Sequence, residues 1–390
     1  MRVETRPTVK LSSRGTSRLK NGHVWVYRSD IVFSDGVPPG ALVEVADERG
    51  KFLGTALYSS ASQIAIRIIS PNKVDDLPGL LRKRIQDSIA YREQVVRETD
   101  AYRVVFSEAD FLPGLIVDRY NDLLSFQVLT QAMDSEAVRQ TLISELGDRL
   151  KPAAIVERVD PRVRELEQLP ARASGLVHGE KNNTVFSMNG VRFHFDALVG
   201  QKTGAFLDQR ENYAAAQRYA RGEALDVFCY QGGFALHLAT QCSKVAGVDS
   251  SRSALEVAER NAALNGREVE WIEANAFDLL RGYADAGRQY DTIVLDPPAF
   301  ARSKRNLETA MRGYKELNLR ALKMLRPGGV LLTCSCSYHV SEADFAQMLT
   351  EAAGDLRRPL RVLERRGQSQ DHPVLLGVPE TAYLKCFIIH

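Results

Sequence analysis

The sequence predicts an α/β fold: a doubly wound, largely parallel sheet, preceded by a small β-barrel domain and an α+β central domain. Strand and helix periods alternate from Ala224 onward, which is typical of a doubly wound sheet. The apolar runs at 293–295 and 330–332 are short, rich in branched residues and bounded by Pro and Gly, as buried parallel strands are. Four short alternating segments within 8–70, separated by Gly and Pro turns, indicate the barrel. We expect the domains to span 1–72, 73–190 and 191–390.

Length and composition limit the function classes. With 390 residues, of which 44% are hydrophobic, the chain can bury the cores of two or three domains. No apolar run approaches the roughly 18 residues of a membrane helix, and the first residues contain no apolar leader core, so we expect a cytoplasmic protein without a membrane partner. The five cysteines form no C-x-x-C pair, which argues against a disulfide scaffold or a zinc site. We expect no metal.

The first segment of the predicted barrel places cations beside aromatic rings. Arg14 and Lys20 precede Trp25 and Tyr27. Cations next to aromatic faces suit phosphates and unstacked bases, so Arg14, Lys20 and Trp25 are candidate RNA contacts. The alternative is that the two aromatic residues are core residues of a strand and the charges are solvated. Composition alone favours this alternative, because the net charge of the chain is only +2.

The central segment, unlike the all-strand segment before it, combines predicted helices and strands. A helix is predicted over 76–100, strands over 103–106, 114–118 and 123–129, and a further helix and strand over 135–150 and 154–157. This run contains no phosphate-binding loop. It therefore predicts an α+β module to which the residues assign no chemistry.

A strand, a glycine turn, a helix and a second strand follow from Ala224. Gly232 and Gly233 in the turn let the backbone approach a ligand closely, although a bare G-G pair departs from the dinucleotide G-x-G-x-x-G pattern. Asp249 ends the second strand at the spacing where an acidic residue accepts from ribose hydroxyls. Capping of the next helix is an alternative role for this carboxylate.

Two later strands end in residues that can carry chemistry. Asp296, Pro297 and Pro298 follow the run at 293–295, and the sequence C-S-C at 334–336 follows the run at 330–332. Ligands of open α/β sheets bind beyond the carboxyl ends of the strands, so these ends converge on one crevice. Alternating residues of a strand share a face, and the spacing alone therefore does not choose between Cys334 and Cys336. The position of Cys336 nearer the carboxyl end favours it as the nucleophile.

The region from about 201 to the C-terminus resembles class I S-adenosylmethionine methyltransferases. The motifs D-P-P-A-F (296–300), S-C-S (335–337), D-H-P-V (371–374) and A-Y-L-K (382–385) are similar to those of RlmI-type 23S rRNA cytosine-5 methyltransferases. The resemblance extends over nearly the whole chain, because that family begins with an RNA-binding PUA domain. It implies a Rossmann-like catalytic domain, S-adenosylmethionine as cofactor and large-subunit ribosomal RNA as partner. A homodimer is also an expectation.

The resemblance further implies the roles of individual residues. The segment before the helix at 210 covers the cofactor, and Arg210 there can pair with a ligand carboxylate, although capping and salt bridging are alternatives. The end of the third strand holds adenine through Asn275, where relatives frequently have Asp. Pro297, Pro298 and Lys304 are expected to contact RNA, although Lys304 also suits a solvated helix start. The implied cofactor contacts are Phe206, Gln209, Arg210, Phe228, Tyr230, Gly232, Gly233, Asp249, Ser250, Asn275, Ala276, Phe277 and Asp296.

The chemistry implied by this family is attack of a thiolate on C6 of cytosine, which activates C5 toward the methyl sulfonium. Cys336 matches the cysteine of the family's S-C-S, and Asp296 is expected to hydrogen-bond N3 of the base. Ala299 occupies the position at which many RNA cytosine-5 methyltransferases have a second cysteine, so a single-thiol mechanism follows. Two alternatives stay open: methylation of guanine N7 or N2 without a covalent intermediate, and a non-catalytic RNA-binding assembly protein.

Overall fold

A computed structural model describes residues 6–198, 205–301 and 304–390 of the chain. The described residues form two compact units. The first comprises Met1–Val185, Phe195–Gly204 and Gln370–Thr381, and the second comprises Phe186–His194, Ala205–Ser369 and Ala382–His390. The predicted α/β fold class is confirmed. The domain boundaries at 72 and 190, and the homodimer, stay predictions.

A six-stranded curled sheet begins the first unit, with the strand order β2-β6-β5-β4-β1-β3. Its core consists of apolar residues that alternate with outward-facing ones, such as Val43 and Val45 of β4. A helix, α1, interrupts the predicted lead-in, because the Ser12 hydroxyl caps it by accepting from the Gly15 N–H. The elements are β1 (Thr8–Leu11), α1 (Ser13–Lys20), β2 (Trp25–Tyr27), β3 (Ile31–Phe33), β4 (Leu42–Asp47), β5 (Phe52–Tyr58) and β6 (Ile64–Ser70).

A five-stranded sheet with the order β11-β10-β9-β8-β7 follows in the same unit. Helices α2 and α3 pack on it through buried residues such as Ile85 and Leu142. The predicted helices and strands of this region are confirmed to within a few residues, and α4 and β11 are additions. The elements are α2 (Leu77–Val95), β7 (Ala101–Phe106), β8 (Leu115–Tyr120), β9 (Leu123–Val128), α3 (Glu136–Leu150), β10 (Ala154–Glu157), α4 (Pro161–Leu166) and β11 (Gly175–Gly179).

The D-H-P-V segment near the C-terminus belongs to this first unit. A carboxylate oxygen of Asp371 accepts from the Arg103 N–H at 2.8 Å, and its carbonyl oxygen accepts from the buried Arg92 guanidinium at 2.7 Å. The His372 ring lies 5.1 Å from that of Phe106. These contacts give the segment a packing role in the first unit.

A hairpin of β12 (Asn183–Met188) and β13 (Val191–Asp196) was not among the predicted elements. Its turn residues, Asn189 and Gly190, both have positive φ, 51° and 80°. An Asn-Gly pair between alternating apolar residues is a strong hairpin signal, so the sequence did contain the information.

The second unit contains a seven-stranded sheet with the order β16-β15-β14-β17-β18-β20-β19. The runs at 293–295 and 330–332 pair in parallel, with Ile293 opposite Leu331. Strand β20 runs antiparallel between β18 and β19. Neither β19 nor β20 was predicted from the sequence. The elements are α5 (Arg210–Tyr219), β14 (Glu223–Val227), α6 (Gly233–Leu238), β15 (Lys244–Asp249), α7 (Arg252–Leu264), β16 (Glu270–Glu273), α8 (Ala276–Asp285), β17 (Tyr290–Leu295), α9 (Leu307–Met324), β18 (Leu325–Ser335), α10 (Glu342–Asp355), β19 (Val362–Arg366) and β20 (Lys385–Ile389).

Close packing between neighbouring strands predicts opposite stability effects at two glycines. A Cβ on Gly247 of β15 would lie 2.5 Å from the Trp271 ring, whereas a Cβ on Gly282 of α8 would meet nothing within 4 Å. Gly247→Ala should lower the free energy of unfolding by about 1–3 kcal/mol through overpacking. Gly282→Ala, the control, should raise it by about 0.5–1 kcal/mol, because alanine favours the helix. Urea titration measures both, and equal effects would contradict this packing.

No helix among the described residues combines the length and apolarity needed to cross a bilayer.

Candidate active site

The loop after β14 adopts a backbone that ordinary residues avoid. Phe228 and Tyr230 have positive φ, 69° and 49°, and Gly232 has φ 86°. A Cβ on Gly232 would lie 2.8 Å from the Trp271 ring, so glycine is required there by both conformation and space. Non-glycine residues with positive φ cluster at ligand-binding sites, where surrounding contacts hold them. This loop is therefore where we expect the sheet to contact a ligand.

Hydrogen bonds to neighbouring strands hold the loop in this shape. The Phe228 and Cys229 N–H groups both donate to the Val248 carbonyl oxygen, at 2.9 and 3.0 Å. Asp249, at the end of β15, accepts from the Tyr230 N–H at 2.9 Å and from the Ser251 N–H at 2.9 Å. Asp249 thus fixes the loop with one bond and the turn before α7 with another, and a carboxylate has remaining lone pairs for a ligand.

Three carboxyl groups converge near the carboxyl ends of adjacent strands: Asp226 of β14, Asp249 of β15 and Asp296 after β17. Burial raises the pKa of Asp226 well above its usual value, and the charges of the other two carboxylates raise it further, against the opposing Ala235 N–H bond. The Oδ1 atom of Asp226 is buried and has no hydrogen-bond partner among the described residues. Sequence reasoning did not single out Asp226, although an Asp inside an apolar strand is costly unless it has a role.

The third strand, β16, leads into the residues predicted to hold adenine. The Asn275 side-chain oxygen accepts from the N–H groups of Phe277 and Asp278 and caps α8. Ala276 is buried and Phe277 is half-buried, with its ring 6.0 Å from that of Phe300. The side-chain oxygen of Asn275 is therefore already bonded within the protein. The contact of Asn275 with adenine stays a prediction, and it would use the NH₂ group of the amide.

Asp296 is the last acceptor of a chain of hydrogen-bonded side chains in this unit. Gln209 donates from Nε2 to Asp296 Oδ1 at 2.9 Å, and Asn212 donates to Gln209 Oε1 at 2.7 Å. Burial raises the pKa of Asp296 to about 7, and the charge of Asp208 raises it too, whereas the Gln209 bond opposes the shift. At neutral pH this carboxyl is therefore a hydrogen-bond donor in a large fraction of the molecules.

The two cysteines at the carboxyl end of β18 have different surroundings. Cys334 is fully buried inside the strand and lies opposite Cys386 of β20. Cys336 lies just beyond the last strand residue, Ser335, is half-buried, and places its Sγ 3.8 Å from the Pro297 carbonyl oxygen. The structure therefore places the Cys336 sulfur against the carbonyl of Pro297, whereas Cys334 lies inside the sheet, where the charge of Asp296 is one of the causes that raise the pKa of its thiol.

Several other predicted site residues have contacts that the sequence did not reveal. Phe206 is 38% exposed, and its ring meets that of Tyr230 edge to face at 5.1 Å. Arg210 is buried, with its guanidinium 3.6 Å from the Glu211 carboxylate. Ser250 is exposed beside Asp249. The predicted cofactor contacts of these residues stay predictions.

The predicted RNA contacts are divided between the two units, and Pro297 and Pro298 belong to the second. Pro297 is buried and Pro298 is exposed, while the side chain of Lys304 lies outside the described residues.

In the first unit Arg14 pairs with the buried Asp30, and Lys20 is exposed at the end of α1. Trp25 is half-buried, and its indole N–H donates to Glu108 at 3.0 Å. The hydrogen bond thus anchors the Trp25 side chain, while part of this side chain stays exposed to solvent.

Three residues beside the site were missed as functional candidates or given no role: Asp208, Tyr383 and Lys385. The Tyr383 hydroxyl donates to Asp208 Oδ2 at 2.6 Å, and Lys385 donates to the Ser337 carbonyl oxygen at 2.6 Å. Tyr383 and Lys385 belong to the A-Y-L-K motif, so the sequence carried a signal for these two residues.

The residues at these strand ends fit S-adenosylmethionine. The ligand carries a sulfonium and an ammonium, and such cations would favour the ionised form of Asp226, whose pKa is otherwise raised by burial. The glycine turn leaves room for close backbone approach, and Asp249 suits ribose hydroxyls. Sheet order, strand-end carboxylates and loop together define an S-adenosylmethionine-dependent methyltransferase.

Comparison with known proteins agrees with this class. Residues 9–71 match the family model of a PUA-like domain, and residues 114–389 match that of the S-adenosylmethionine-dependent methyltransferases. A structure described as that of a methyltransferase complexed with SAH superposes with a TM-score of 0.84 at 20% identity, covering 98% of this chain and 99% of that one. A SAM-dependent methyltransferase structure from Streptococcus mutans gives 0.83 at 20% identity, with the same coverage.

Two curated relatives are more similar in sequence. The protein named ribosomal RNA large subunit methyltransferase I from Shewanella denitrificans is 39% identical over 389 residues, covering 97% of each chain. The protein of the same name from Tolumonas auensis is 38% identical over 394 residues, covering 98% of each. The chain therefore belongs to the ribosomal RNA large subunit methyltransferase I family of S-adenosylmethionine-dependent methyltransferases.

The position of Asp249 predicts a loss of cofactor affinity on substitution. Asp249→Ala removes the bond that fixes the Tyr230 loop, the bond to Ser251 and the predicted ribose acceptor, so the affinity for S-adenosylmethionine should fall about 10- to 100-fold. Titration calorimetry measures the dissociation constant. Asp278→Ala, whose side chain is 76% exposed, is the matched control and should bind normally. Unchanged affinity in Asp249→Ala would remove this residue from the cofactor site.

Proposed function

We propose that this chain methylates C5 of a cytosine in large-subunit ribosomal RNA through a covalent bond between Cys336 and C6 of the base. The observation that carries the proposal is the position of Cys336 beyond the end of β18, with its sulfur 3.8 Å from the carbonyl oxygen of Pro297 in the D-P-P segment. The printed names of relatives that are 36–39% identical supply the class of RNA.

Cysteine chemistry suits carbon methylation because C5 of cytosine is a poor nucleophile. Addition of the Cys336 thiolate to C6 forms an S–C6 bond and shifts electron density to C5, which then takes the methyl group. When bound, S-adenosylmethionine supplies an electrophilic methyl group. Loss of the C5 proton restores the double bond, and the thiolate leaves from C6. Cys336 therefore ends the cycle in the form in which it began.

Asp296 is proposed to assist this addition by donating a proton to N3 of the cytosine ring. N3 of cytosine is an acceptor, so a partner must offer a proton. The pKa of Asp296, raised to about 7 by burial and by Asp208, keeps a proton on the carboxyl in the range where the thiolate also exists. A carboxyl with an ordinary pKa near 4 would be ionised and could not donate.

The first unit is proposed to contribute RNA affinity. Arg14, Lys20 and Trp25 lie on or near α1 of its curled sheet, and a PUA-like domain matches this segment. Arg14 is already paired with Asp30, so its phosphate contact would use the guanidinium N–H groups that remain available. Lys20 offers an exposed ammonium to a phosphate.

Two measurements test the proposal. Large-subunit RNA from cells that lack the protein is digested to nucleosides and compared by mass spectrometry with RNA from the parent strain. The purified chain is also given that RNA labelled with tritium at C5 of cytosine. We expect loss of 5-methylcytosine in the first measurement and release of tritium in the second. A missing methylguanosine without tritium release would refute carbon methylation and support transfer to a guanine nitrogen.

A further inference from the structure

Lys385 is a buried lysine at the edge of the proposed active site. It is the first residue of β20, lies opposite Ser335 of β18, and is 8% exposed. Its Nζ donates to the carbonyl oxygen of Ser337 at 2.6 Å and to that of Tyr383 at 2.9 Å. The ammonium is therefore held against the chain segment that contains Cys336.

Burial of a lysine is unusual unless a negative charge compensates it. No carboxylate of the described residues lies within ion-pair distance of Nζ, and its two contacts are neutral carbonyl oxygens. Burial lowers the pKa of Lys385 to about 8, while a negative charge on Cys336 would raise it. At pH 7 the side chain is still largely cationic, and its contact with the Ser337 carbonyl oxygen holds this charge one residue from Cys336.

Four other titratable groups of the described residues lie on elements packed near Cys336. Asp296 follows β17, Tyr314 of α9 places its hydroxyl 2.9 Å from Ser337 Oγ, and Cys334 and Cys386 occupy the paired strands. The charge of Asp208 reaches the site through Asp296. Each of these groups is neutral or negative, so among them Lys385 is the one that carries a positive charge.

We propose that Lys385 is a positioning residue that holds the Cys336 sulfur as a thiolate at neutral pH before RNA binds. The thiol proton passes to solvent, and the ammonium stays bound to the two carbonyl oxygens. A thiolate, and not a thiol, is the nucleophile that adds to carbon. The inference rests on the proposed role of Cys336, but it concerns the resting enzyme and not the methylated product.

The test is the pH dependence of Cys336 alkylation in the full chain without RNA. Iodoacetamide labelling rates at Cys336 are followed by peptide mass spectrometry from pH 5 to 10, which separates this cysteine from the other four. In Lys385→Met, a variant of similar length without charge, the midpoint of the profile should move up by about one pH unit, and labelling at pH 7 should slow about tenfold. Lys385→Arg keeps the charge and should retain the wild-type midpoint.

An unchanged midpoint in a Lys385→Met variant that still binds SAH would overturn the proposal. If that variant does not fold, the thiolate absorbance of the wild type, measured as the difference from Cys336→Ser, decides. A midpoint below the ordinary thiol pKa of about 8.5 supports the pair, and one at or above it refutes the pair. A shifted alkylation profile without 5-methylcytosine in the RNA would refute the proposed function alone, whereas 5-methylcytosine with an unshifted profile would refute this inference alone.

Discussion

The Cys336→Ala variant should show no methyl transfer to large-subunit RNA, while Cys334→Ala should retain transfer. The reason is positional: Cys336 lies beyond the end of β18 beside the Pro297 carbonyl, whereas Cys334 is fully buried opposite Cys386. Burial, together with the neighbouring Cys386 thiol, raises the pKa of Cys334 well above its usual value. Cys334 is therefore a neutral thiol at neutral pH and a poor nucleophile.

The measurement uses RNA in which the target is 5-fluorocytidine. Fluorine at C5 cannot leave as a proton does, so the adduct between enzyme and base persists and is visible as a shifted band under denaturing conditions. Wild type and Cys334→Ala should form this band, and Cys336→Ala should not. Both variants should bind SAH as the wild type does, which controls for folding. A band in Cys336→Ala that is lost in Cys334→Ala would assign the nucleophile to the other cysteine.

Cys334→Ala is also expected to reduce stability slightly. Its thiol fills a fully buried position between β18 and β20, and truncating a small buried group costs about 1 kcal/mol. This variant should therefore be assayed well below its melting temperature. Lower stability with full activity would separate a packing role from a chemical one.

Strand periodicity explains why much of the catalytic sheet was predictable. Short branched runs at 293–295 and 330–332 indicated parallel strands, and the positions of Asp296 and Cys336 at their carboxyl ends followed from a general property of such sheets. The structure pairs these runs as expected. Local pattern was sufficient here because each strand end carries its functional residue within the same few positions of sequence.

Residues whose surroundings come from distant strands were not predictable in this way. Lys385 reaches Ser337 only because β20 inserts antiparallel between β18 and β19, and no local signal gives that order. Asn275 lies at the sequence position expected for an adenine contact, yet its side-chain oxygen caps α8. Both cases depend on where the remaining hydrogen-bond partners lie, which is a property of the folded chain.

Asp296→Asn should lower the rate of methyl transfer by about 10²- to 10⁴-fold at saturating cofactor, because the amide can donate a hydrogen bond to N3 but cannot transfer a proton. The wild-type rate should decline as pH rises through about 7, where Asp296 loses its proton. This falling limb should be absent in Asp296→Asn. Transfer rates measured from pH 6 to 9 test both statements, and a wild-type rate that keeps rising through pH 8 would exclude the protonated carboxyl as donor.

The neighbouring Asp208 provides a matched control for this pH dependence. Its negative charge raises the pKa of Asp296, so Asp208→Asn should lower that pKa and move the falling limb to lower pH. The free energy of unfolding should also depend on the protonation of Asp296. Because the folded chain keeps the Asp296 proton while the unfolded chain releases it near pH 4, the free energy of unfolding should fall as pH rises from about 4 to 7 and then level off. Asp296→Asn should lack this contribution, and denaturant titrations at pH 5 and 8 would reveal the difference.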